Sequence, residues 1–312
     1  MPRNRSTTGS QDEPGRARAE PDPTVNAANS TDEVAPGPPQ RRRRRVRVAA
    51  AVVGAVVIAG VATFIVLWSR VSTQPVSMDE ARRRADGAGQ GTDQPTAATH
   101  FRPAAGIYRY RGEGTERLDK PPTSQTQGPD IPGTVTHLDG TCWRLRVDYN
   151  TNHWQSWDYC STGTALTERA GAFFQRLDLV VAQVETSSMY TCDPPVDAIR
   201  AAQRAGDHWT QECRGTSTGS TGEVNSAGPY TYVGQEELVI GGRRVKALHY
   251  HRSRTLTGAQ TGTEDINVWF DVDTGLPLKN QRAITVHSDS LIGGVTYDEN
   301  GSFQLASMTP TR

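Results

Sequence analysis

No cysteine precedes Cys142, so no thiol stands beside the one long apolar run, and a lipid-modified cysteine cannot anchor the chain. Lysine is nearly missing: Lys120, Lys246 and Lys279 are three of the 34 basic residues, an arginine bias that reads as a GC-rich bacterial genome. Basic excess is missing where the chain is bulkiest. Residues 105–312 carry 19 basic and 24 acidic side chains, and a mildly acidic surface does not neutralise phosphates, which excludes nucleic acid as a partner. Residues 1–40 have almost no large apolar side chains and cannot bury enough surface to offset chain entropy. Helical patterning in residues 105–312 is confined to Val196–Arg204, stopped by Gly206. There is no internal repeat.

What is present begins with the apolar run. Residues 48–68 are 21 consecutive uncharged residues, about 31 Å as a helix and close to the ~30 Å bilayer core. Arg41, Arg42, Arg43, Arg44, Arg45 and Arg47 stand directly before it, and arginine near a membrane end favours the cytoplasm. The expectation is a single-pass cell-membrane protein with a cytoplasmic N-terminus. Its partners would be the lipid bilayer and, at those six arginines, anionic lipid head groups. The expected organisation is a disordered cytoplasmic tail with its Arg cluster over 1–47, a transmembrane helix over 48–68, a stalk over 69–104 and an extracytoplasmic β domain over 105–312. Ser77 and Glu80 fit a capping box, which predicts a short stalk helix ending near Asp86.

From Ile107 the pattern is period two. Trp143, Leu145, Val147 and Tyr149 alternate with Cys142, Arg144, Arg146 and Asp148, as in a half-buried strand. A hairpin centred on Thr151 sets Leu145 opposite Trp157, Trp143 opposite Tyr159 and Cys142 opposite Cys160. Directly opposed residues lie within disulfide range, which predicts Cys142–Cys160 and leaves Cys192–Cys213. Four cysteines downstream of the apolar run point to an oxidising compartment. Further strands are expected at 164–169, 173–185 and 187–192, ended by Pro194-Pro195. Hairpin turns are expected at Gly241-Gly242, Asp273-Thr274-Gly275 and Asn300-Gly301. The fold class that follows is mainly β, an antiparallel meander or curved half-barrel sheet, plus the one N-terminal transmembrane helix.

Three apparent motifs have ordinary explanations. Gly215-Thr216-Ser217-Thr218-Gly219 matches a nucleophile elbow literally, but Arg214 precedes it and Ser, Thr and Gly follow, where an apolar strand and a helix are required. Asp273-Thr274-Gly275 matches an aspartic-protease triplet without a second copy, and Asp and Gly are what a tight turn uses. His249 and His251 sit two apart on one strand and so face one side. They are the weak candidate metal ligands, with no third ligand apparent.

The segment Leu238–Val245, followed by Asn267-Val268-Trp269-Phe270-Asp271 and Asp273-Thr274-Gly275-Leu276-Pro277, with a final Phe303-Gln304-Leu305, resembles uncharacterised membrane-anchored actinobacterial proteins. Their outer domains look like the LolA/LppX-type curved sheets that carry lipids or lipoproteins. The resemblance covers roughly residues 230–310 and implies a half-barrel that binds something apolar; it carries no catalytic residue.

With no catalytic residue and no cofactor assigned, the sequence reads as a non-enzymatic extracytoplasmic module for a hydrophobic ligand or an envelope protein partner. The alternatives are a hydrolase with a sequence-scattered site and a purely structural envelope scaffold.

Overall fold

The computed structural model describes residues 73–87, 100–120, 122–178, 183–290 and 293–311. Every described residue belongs to one compact unit. Helix α1, Met78–Gly87, is followed by β1 (Gly106–Asp119), β2 (Pro122–Gln127), β3 (Asp130–His137), β4 (Cys142–Asn150), β5 (His153–Ser161), β6 (Leu166–Asp178) and β7 (Gln183–Ile199). The remainder is β8 (His208–Ser217), β9 (Glu223–Ile240), β10 (Arg243–Gly258), β11 (Gln260–Asp271), β12 (Pro277–Ser290) and β13 (Gly293–Leu305).

Each strand pairs antiparallel with the next in space, and β13 returns to pair with β1 from Tyr110↔Leu305 to Leu118↔Tyr297. That last ladder closes the sheet. The expected open meander or half-barrel is therefore corrected to a closed barrel. β2 and β3 are two parts of one barrel stave. Both lie against the same edge of β1 in one continuous register, Gly114 opposite Gln127 and Arg111 opposite Asp130. The break falls at Gly128-Pro129, where Pro129 has no N–H to give to a ladder. Counted this way the barrel has twelve staves, and closure removes the free edges that an open sheet exposes.

Ser77 caps α1 as expected, its Oγ accepting from the Glu80 N–H at 3.1 Å. The helix lies against the outside of the barrel. Val76, Ala81 and Ile107 form a small buried cluster there. Arg84 reaches Asp148 on β4 at 3.2 Å, and Arg146 holds the same carboxylate at 2.8 Å.

The β4–β5 register is the predicted one for Leu145↔Trp157, Trp143↔Tyr159 and Cys142↔Cys160. A bulge nearer the turn leaves Tyr149 out of the ladder with His153, although their rings meet at 4.6 Å. Both predicted disulfides are present, with Cα–Cα separations of 3.9 Å for Cys142–Cys160 and 4.1 Å for Cys192–Cys213.

Several local expectations are corrected. β7 runs through Pro194-Pro195 to Ile199, so no helix forms at 196–204. Pairing with β6 skips from Thr191 to Val196, and the two prolines sit in that irregularity, where no ladder N–H is required. Asn300-Gly301 is not a turn but lies inside β13. Glycine is needed there for room, because a Cβ at Gly301 would press on the Gln127 and Arg282 side chains.

The expected membrane span at 48–68, the tail with Arg41–Arg45 and Arg47, and residues 88–99 of the expected stalk lie outside the described residues. Among the described residues no helix is long and apolar enough to cross a membrane. The single-pass topology and its cell-membrane localisation are corrected on that finding.

Candidate functional site

Period-two alternation sends one face of each strand into the barrel lumen. Near the β3–β4, β9–β10 and β11–β12 turns the inward side chains are apolar. Trp143, Leu145, Tyr110, Ile131, Phe270, Leu278 and Phe303 are all 0–2% exposed and form the main core. Further along the same strands the inward positions become polar while remaining buried.

The polar part is built around Glu116, which follows Tyr108 and Tyr110 on the inner face of β1. Its Oε1 accepts from Gln127 Nε2 at 2.7 Å and faces His153 Nδ1 at 2.7 Å. Its Oε2 accepts from Gln125 Nε2 at 2.6 Å and from Gln175. A second carboxylate, Glu299 on β13, takes Arg282 Nε at 2.5 Å, Gln127 Nε2 at 2.9 Å and the Tyr297 hydroxyl at 3.0 Å. Arg282 also donates to Gln127 Oε1 at 2.6 Å and lies 4.0 Å over the Tyr149 ring. Gly114 and Gly301 make this crossing possible, since a Cβ on either would collide with the Gln127 carboxamide. Burial alone would raise the Glu299 carboxyl, but Arg282 first, then His153 and the Gln127 hydrogen bond, outweigh it and hold it at about 2.

A second inward cluster joins β6, β7, β8, β10 and β11. Arg252 stands 3.8 Å from both Glu168 and Glu264. Tyr190 donates to Glu168 at 2.9 Å, and Arg254 donates to Gln211 at 2.6 Å. Burial, and then repulsion from Arg252, push the Arg254 guanidinium down. The neighbouring cavity, lined by Leu145, Trp157, Tyr159, Glu168, Tyr230, Arg252 and others, has a volume of about 30 Å³. That is room for about one water molecule. A larger open groove of about 320 Å³ lies by the β10–β11 and β12–β13 turns, near Lys120, Thr261, His287, Asp289 and Thr296, and its walls are polar.

Chemically, Glu116–His153 is an acid–base pair, but both side chains are fully buried, every Glu116 oxygen is already engaged, and neither residue lines the lumen cavity. Glu168, Cys192 and Cys213 bring three potential metal-ligand atoms within 4.8 Å of one another, as one group among the described residues. Its two sulfurs are joined to each other, so neither is the thiolate a metal requires.

The sequence-marked residues fall elsewhere. His249 and His251 both face outward and are held by different carboxylates. His249 Nδ1 meets Glu236 at 2.7 Å and Nε2 meets Asn267 at 2.9 Å; His251 Nε2 meets Asp265 at 3.0 Å. Burial would raise Glu236, but hydrogen bonds from Trp269 and His249 turn the balance and lower it. Ser217 ends β8 and accepts from the Gly219 N–H at 3.2 Å, a turn contact rather than an elbow. Asp273-Thr274-Gly275 is the expected turn, closed by Asp271, which accepts from Thr274 N at 2.8 Å. Glu116, His153, Arg252, Arg282 and Glu299 carried no motif. The signal that reveals Glu116 and Arg252 is that each continues the phase of an aromatic inner face, Tyr108–Tyr110 and Tyr250.

These features define a closed antiparallel β-barrel with a filled, partly charged lumen. No known family matches the sequence, and no curated protein does. Among solved structures there is a distant match to the hypothetical lipoprotein YmcC of Escherichia coli, with a TM-score of 0.31 and 15% identity over 78% of this chain and 100% of that one.

Proposed function

We infer that the barrel is a non-enzymatic binding and scaffold module that engages a protein partner of an oxidising compartment through its outer face. The observation that carries this reading is the packed lumen. A lipid-sized ligand needs about 300–1,000 Å³ of largely apolar space, whereas the lumen cavity beside Leu145 and Arg252 is about 30 Å³ and the groove of about 320 Å³ has polar walls. The carrier activity that the LolA/LppX resemblance implies would require the barrel to open.

The outer face of β4–β7 has the composition of a protein interface. Trp154 and Phe174 stack at 5.9 Å, and Arg146 lies 4.1 Å over the Trp154 ring. Met189, opposite Ala172 on the same face, is 67% exposed. Trp, Phe, Met and Arg are the residue types enriched where proteins meet. An envelope protein is the partner class the reading favours. The hydrolase alternative rests on the Glu116–His153 pair and needs a path to it.

Photo-crosslinking in cells separates these readings. A crosslinker at Met189 is expected to capture a discrete protein adduct that Trp154→Ala abolishes and Glu116→Gln does not. Lipid adducts alone, or a protein adduct indifferent to Trp154, would contradict the proposal.

A further inference from the structure

The two disulfides sit in opposite electrostatic surroundings. Cys192–Cys213 is buried, with each residue 2–3% exposed, and the Glu168 carboxylate lies within 4.8 Å of both sulfurs. Cys142–Cys160 is half-buried on the outer face. The exposed Arg169 places its Nη1 3.9 Å from the Cys142 sulfur and 3.8 Å from the Cys160 sulfur. A guanidinium stabilises a thiolate, and a carboxylate opposes one. The thiolate that leaves fastest is the one whose pKa is lowest.

We propose that Cys142–Cys160 is a thiol–disulfide exchange site on the outer face of the barrel, opened by a dithiol partner and assisted by Arg169. One thiolate of the dithiol attacks a sulfur of the pair. A mixed disulfide forms, the Cys142–Cys160 bond breaks, and the second sulfur leaves with the bonding electrons as a thiolate beside Arg169. The partner's other thiol, once deprotonated, attacks the mixed disulfide and releases the first cysteine. The partner ends as a disulfide, two electrons have passed to this chain, and the partner's two protons are left for the cysteines or solvent. Strand pairing does not depend on the bond. The ladder continues from Trp143↔Tyr159 on one side, and on the other the Ser161 N–H donates to Thr141 at 3.2 Å. The redox event therefore changes the outer surface without unzipping β4 from β5.

The test is timed reduction of the full chain by dithiothreitol under native conditions, with iodoacetamide trapping and peptide mapping. Cys142 and Cys160 are expected to label together about tenfold or more faster than Cys192 and Cys213. Arg169→Gln is expected to slow that opening about threefold or more, and Arg169→Lys to keep most of the rate. The buried pair serves as the internal clock for opening of the whole barrel. Equal rates for the two pairs, or an Arg169→Gln rate equal to wild type, would overturn the proposal.

Discussion

The two ends of the lumen solve one packing problem with different chemistry. At one end Trp143, Tyr110, Leu145, Phe270 and Leu278 fill the barrel by area and shape. At the other, Glu116, His153, Gln125, Gln127, Gln175, Arg282 and Glu299 fill it with charge and hydrogen bonds, at the same 0–6% exposure. Burial of apolar surface is non-directional and indifferent to pH. A buried polar network is directional, and removing one partner leaves the others desolvated and unmatched. The apolar end should therefore yield gradually to substitution, and the polar end abruptly.

The sharpest way to break the comparison is to remove one charge. Arg282→Ala leaves Glu299 buried without its cation and is expected to cost about 4 kcal/mol in urea unfolding. Replacing both Arg282 and Glu299 with apolar residues of similar size is expected to cost less than that single change, since no charge remains stranded. A double mutant worse than Arg282→Ala would mean the pair is not what holds this end.

Acid separates the two ends next. Glu299 in the folded chain titrates at about 2, against an ordinary 4.5. The unfolded state takes up the proton first as pH falls, so the stabilisation is present above about 4.5 and is lost as pH drops towards 2. Glu299→Gln is expected to flatten the stability–pH curve in that window. A curve with unchanged slope there would place the acid sensitivity elsewhere.

Ile131→Val, at the apolar end, is expected to cost about 1 kcal/mol with no change of slope against pH. The smallest effect is expected outside the barrel. Micromolar zinc should leave the melting temperature unchanged, because His249 and His251 are engaged by separate acceptors, and an upward shift would revive them as ligands.

Much of the apolar end was legible in the sequence. Alternation at 142–149 gave the strand, and the aromatic pairing gave a register that set Cys142 against Cys160. The Gly241-Gly242 and Asp273-Thr274-Gly275 turns are local chemistry and fall where those residues place them. Closure was not legible, because the ladder between β1 and β13 joins residues nearly two hundred positions apart, such as Tyr110 and Leu305, and nothing local marks it. Asn300-Gly301 misled for a related reason: its glycine makes space for Gln127 and Arg282, which arrive from distant staves. The polar cluster was hidden because Glu116, Arg252 and Glu299 look like ordinary solvated strand residues until the barrel shuts around them. Pro194-Pro195 misled because a bulge, visible only in the pairing with β6, absorbs both prolines.

The central proposal is that the lumen is a packed core and that the partner binds on the outer face. Native mass spectrometry of the full chain, purified in mild detergent without a delipidation step, tests it most directly. The account predicts one species at the mass of the polypeptide with its two disulfides. A lipid-sized adduct that persists through detergent exchange and is released only when the barrel is unfolded would contradict it.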